Sequence, residues 1–148
     1  MYGASRLFKG ILPLMRVSAT AAKTGILYTL GVFAIAFAVG VVRVTQLAPR
    51  VGDLLAVLCE APVVLGFSWV ISRWCIRRFK VDASPSARIQ MGVVAFVTLQ
   101  LLELGVSVLV FGESPEAYFA KWATAPGLVG LIMQAGFAAI PWIQWRVR

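Results

Sequence analysis

From residue 24 onward the chain alternates long apolar runs with short polar breaks. The uncharged stretches include 24–42 and 122–145, each close to the ~20 residues that cross a hydrocarbon core as a helix. Adding the breaks at 48–53, 78–85 and 112–126 predicts four transmembrane helices, at 24–47, 54–77, 86–111 and 127–145. The expected fold is an all-α integral membrane protein, a four-transmembrane-helix bundle over 24–148 preceded by a basic segment at 1–23.

Cap and turn residues sharpen the breaks. Ala48-Pro49-Arg50-Val51-Gly52-Asp53 is short, so the first two helices should be antiparallel neighbours, with Asp53 as N-cap of the second. In Asp82-Ala83-Ser84-Pro85, Ser84 can cap the third helix with Pro85 at its first position. Ser114-Pro115-Glu116 repeats that start signal, and Tyr118, Phe119 and Trp122 follow it. A short helix at the membrane interface, ended by Pro126-Gly127, is the expectation there; it either lids a cavity or anchors a turn.

Composition agrees with this pattern. Of 148 residues 60% are hydrophobic and 14% charged, and the mean hydropathy is +0.87. The net charge of +8 does not point to nucleic acid, because its distribution follows membrane topology. Arg6, Lys9, Arg16, Lys23, Arg73, Arg77, Arg78, Lys80, Arg88, Arg146 and Arg148 fall on one side, and only Arg50 and Lys121 on the other. Positive-inside asymmetry therefore places both termini in the cytoplasm, with a bacterial cytoplasmic (inner) membrane as the expected location. Within 1–23, the stretch 5–18 reads either as an interfacial helix, with Leu7, Phe8, Ile11, Leu12 and Met15 toward acyl chains, or as a loosely ordered basic tail.

Cofactor chemistry finds no ligands. The chain has no histidine and two cysteines, Cys59 and Cys75, spaced along one helix, so no metal or other cofactor is expected.

Three charges interrupt the apolar runs. Counted at about 1.5 Å per residue, Arg43 and Glu60 lie roughly 9–11 Å inside their helices and Glu103 roughly 14 Å. Gln134 returns to the same level. Gln100 shares a face with Glu103 and Gln46 with Arg43, by three-residue spacing. The expected cluster is thus Arg43, Gln46, Glu60, Gln100, Glu103 and Gln134, with Arg43 paired to Glu60, Glu103 or both. Pro62 and Pro141 each free a backbone carbonyl one turn earlier, either for a ligand or for an internal donor.

Charges in a bilayer are expensive and face protein or a polar cavity. Three functions fit such a level. A membrane accessory or assembly protein would use it to pair helices, in a homo-oligomer or a larger membrane-protein complex. A transporter or channel component would use it to bind an ion, proton or small polar ligand. A lipid- or quinone-modifying enzyme of the outer leaflet would use the two carboxylates as acid and base.

Overall fold

The computed structural model describes residues 18–147, so the expectation for 5–18 and the placement of Arg148 lie almost wholly outside the described residues. Four helices are long and apolar enough to cross a membrane: α1 (Ala19–Val51), α2 (Asp53–Arg78), α3 (Pro85–Leu109) and α5 (Ala125–Arg146). A short helix, α4 (Pro115–Ala120), and the 3₁₀ turn Lys121–Ala123 lie between α3 and α5.

The first break differs from the expected six-residue reversal. α1 runs on through Ala48–Val51, and the chain reverses at Gly52 alone, at φ 84° and ψ 158°. Only glycine adopts that backbone cheaply. Asp53 is consequently the first residue of α2 rather than its cap, and Gly52 caps without a side chain. What lets α1 pass Pro49 is a π-helical turn over Arg43–Leu47, where the Ala48 N–H reaches back to the Arg43 carbonyl. A proline ring collides with the carbonyl four residues earlier, here Thr45, and the widened turn gives that carbonyl room.

The other starts follow their cap chemistry. Ser84 Oγ accepts from the Ala87 N–H at 3.2 Å and Ser114 Oγ from the Ala117 N–H at 3.2 Å. At α5 the cap is Thr124, whose Oγ1 accepts from the Gly127 N–H, so Pro126 opens this helix instead of ending the one before it.

The end of α2 is a Schellman turn: the Val81 N–H bonds to the Ile76 carbonyl while Lys80 takes the left-handed position at φ 51°. Val81 and Ile76, both buried, close its hydrophobic contact. Arg88, in the first turn of α3, is buried. It is 1% exposed, and its guanidinium donates to the Val81 and Asp82 carbonyls.

In the bundle α1 packs on α2 and α3, and α5 packs on the same two helices from the other side. The densest packing lies in the half near the 79–84 turn, around Tyr28, Val32, Val64, Cys75, Met91, Ala95 and Phe137. Small residues bring backbones together there. A methyl on Gly25 would sit 2.6 Å from the Met91 carbonyl oxygen, and one on Gly92 would overlap that of Ala138. Buried polar groups cross-link the same half. Gln144 donates to the Trp69 carbonyl at 2.7 Å and accepts from Ser72 at 3.0 Å.

Pro141 shows how a transmembrane proline is accommodated. It cannot donate to the Phe137 carbonyl, and the buried Tyr28 hydroxyl donates to that carbonyl instead, at 3.0 Å. The Tyr28 and Phe137 rings stack with centroids 4.5 Å apart. Tyr28→Phe keeps the stack and orphans the carbonyl, an expected loss of about 1–3 kcal/mol. Adding Pro141→Ala restores a backbone donor. Unfolding of the two variants by SDS in mixed micelles should show the single change destabilised and the double one largely recovered; equal stability of Tyr28→Phe and the parent would refute the assignment.

Candidate functional site

The charged residues separate into two connected groups at the Gly52 end of the bundle. In the first, Arg43 Nε lies 2.6 Å from Glu60 Oε2, joining α1 to α2. The side chains are 26% and 9% exposed. This approach is not aligned for hydrogen bonding, and the buried Nε–H is left without an acceptor, so the contact is a charge pair. Gly40 sits opposite, where a Cβ would come 3.8 Å from Glu60 Oε1.

In the second group Glu103 is held by neutral donors. Gln134 Nε2 donates to Glu103 Oε2 at 2.8 Å, and Gln100 Nε2 donates to Gln134 Oε1 at 2.8 Å. The Tyr118 hydroxyl lies 3.0 Å from Gln100 Oε1 and 3.2 Å from Glu103 Oε2, and its single proton serves one of them at a time. Burial first, and the neighbouring Glu103 second, push the Tyr118 phenol above its ordinary range, which keeps it a donor. The chain Gln100–Gln134–Glu103–Tyr118 ties α3 to α5 and to α4.

Arg43 thus pairs with Glu60, and Glu103 is met by an amide and a phenol. Gln46 stands apart, exposed and without a side-chain hydrogen bond among the described residues. The π turn explains this: with i→i+5 bonding the residue three positions on no longer lies over Arg43. Pro62 lies inside α2, two residues past Glu60. Among the described residues no side chain serves the Leu58 carbonyl as Tyr28 serves that of Phe137.

α4 is fastened at both ends. Glu113 accepts from Ser107 and forms an ion pair with Lys121 at 2.5 Å, and these donors hold its carboxyl below the usual range. Tyr118 reaches inward between them and is buried, while Phe119 and Trp122 pack edge-on beside it. Sequence reasoning treated Tyr118 only as an interfacial aromatic. The available signal was its hydroxyl, which needs a partner when the ring is buried.

Two small residues of α1 and α5 pack within the chain. Ala36 packs on the core, and a methyl on Gly136 would meet Leu65 of α2 at 3.6 Å. Among the described residues no three histidine, cysteine, aspartate or glutamate side chains gather as a metal site. No family model, curated protein or solved structure matches the chain.

Proposed function

We propose that this chain is a small accessory or assembly subunit of the membrane, whose polar level pairs helices and sets the shape presented to a larger complex or to further copies. The observation that carries this reading is the expenditure of the level on the chain's own helices. Arg43 and Glu60 join α1 to α2, and the Glu103 network joins α3, α4 and α5. Toward the 79–84 turn the interior is closed by Tyr28, Ser68, Met91 and Ala95, all fully buried, which speaks against a continuous polar path. From Phe33 to Val51, α1 has no fully buried residue, so a second helix has room to pack there. The distribution of basic residues orients the bundle with both termini and the 79–84 turn in the cytoplasm and α4 at the outer surface. The location that fits is a bacterial cytoplasmic membrane.

A second reading has one observation of its own. Among the described residues Glu103 has neutral donors and no cation against it, which suits a site that takes up a proton or cation in a transporter component. Two substitutions separate the readings. For a pairing network, Glu103→Gln keeps hydrogen bonding, leaving the melting temperature and the size of the complex in mild detergent unchanged. Glu103→Leu should cost about 2 kcal/mol and shrink the complex, since it strands buried partners. A Glu103→Gln protein that keeps its stability and assembly but loses proton- or cation-driven flux in proteoliposomes would establish the second reading instead.

A further inference from the structure

The end of the bundle remote from Glu60 and Glu103 is basic and hollow. Arg73 and Arg77 are one helical turn apart on α2, exposed, and paired with no carboxylate among the described residues. A cavity of about 100 Å³ lies beside them, with Trp69, Arg88 and Gln144 also in its lining. Arg88 and Gln144 are buried and held in place by the turn carbonyls and by Ser72 and Trp69, so part of the lining is a fixed polar wall. Adjoining it is an open groove of about 500 Å³ over the bilayer-facing side of α2, lined by Trp69, Val70, Arg73, Trp74, Arg77 and Arg78. Cavity and groove share Trp69, Arg73 and Arg77, and among the described residues neither lining contains a carboxylate.

We propose that this is a binding site for an anionic phospholipid, with its phosphate between Arg73 and Arg77 at the cavity and an acyl chain along the groove. Three arginines around one hollow select an anion, and the guanidinium fork suits phosphate oxygens. The groove decides for a lipid over free phosphate. Val70 and Trp74, 64% and 59% exposed, offer an apolar track that begins at the arginines and that an inorganic ion would leave unused. Arginines that merely snorkel to bulk headgroups need neither a groove nor a buried polar wall.

The test is native mass spectrometry of the full chain from micelles equilibrated with equal phosphatidylglycerol and phosphatidylcholine. The parent should retain phosphatidylglycerol selectively. Arg73→Gln/Arg77→Gln should weaken that retention roughly thirtyfold, from the attraction of two arginines near an anionic headgroup. Arg50→Gln, an equal charge change per site at the other end of the bundle, should leave retention as it is. Arg73→Lys/Arg77→Lys should recover part of the affinity, and a helical circular dichroism spectrum for each variant confirms that folding is retained. Equal retention of the two lipids, unaltered retention in the double glutamine variant, or a matching loss in Arg50→Gln would overturn the proposal. So would complete displacement of phosphatidylglycerol by millimolar inorganic phosphate, which would make the site one for the free ion.

Discussion

Arg43→Met should destabilise the bundle by about 3 kcal/mol, because it strips the cation from a largely buried carboxylate. Glu60 has 9% of its side chain exposed and, among the described residues, has Arg43 as its only ion-pair partner. Glu60→Leu alone should cost a similar amount by leaving the guanidinium in an apolar surrounding. The double variant Arg43→Met/Glu60→Leu should return to within about 1 kcal/mol of the parent, since replacing both members of a buried pair by apolar groups is often near neutral. The coupling between the two sites, read from SDS unfolding of all four proteins, is the decisive quantity. A loss below about 0.5 kcal/mol for Arg43→Met would place the pair with exposed surface ion pairs and remove it from the pairing network.

Gly92→Ala is expected to be comparably damaging through packing alone. A methyl there overlaps the Ala138 carbonyl oxygen, a backbone atom that cannot rotate away. α3 and α5 must separate, at a cost of about 3 kcal/mol. The same separation strains the Gln100–Gln134 and Gln134–Glu103 hydrogen bonds that join these helices farther along. Gly105→Ala is the matched control on α3, since nothing lies within 4 Å of the added methyl. It should be neutral or gain up to about 1 kcal/mol from the better helix propensity of alanine. Thermal unfolding that ranks Gly92→Ala level with Gly105→Ala would contradict the close approach of α3 and α5.

The polar level itself divides by what each residue needs from its neighbours. Position along a helix is a local property, so rise per residue alone put Arg43, Glu60, Glu103 and Gln134 at similar distances from their chain reversals. Their partners were not legible in that way. Which carboxylate Arg43 meets depends on the neighbour beside the π turn: α1 borders both α2 and α3, and over Arg43–Leu47 it packs on α2, where Glu60 projects. Glu103 is satisfied across α5 and α4, by a glutamine 31 positions away and a tyrosine 15 positions away. Gln46 was misplaced because the helical period changes at the π turn that accommodates Pro49. The burial of Arg88 was not legible either, because it depends on the turn carbonyls folding back onto the guanidinium.

By itself the sequence determined four apolar helices, their approximate ends and the caps Ser84 and Ser114, because length, hydropathy and capping act over a few residues along the chain. It also placed Arg43, Glu60 and Glu103 inside those apolar helices. The tertiary structure alone decided that Arg43 pairs with Glu60, that Gln134 and Tyr118 hold Glu103, and that Tyr28 replaces the donor missing at Pro141. Those outcomes depend on the azimuth of each helix and on which helices are neighbours. Both are set by close contacts such as Gly92 against Ala138, between residues far apart in the chain.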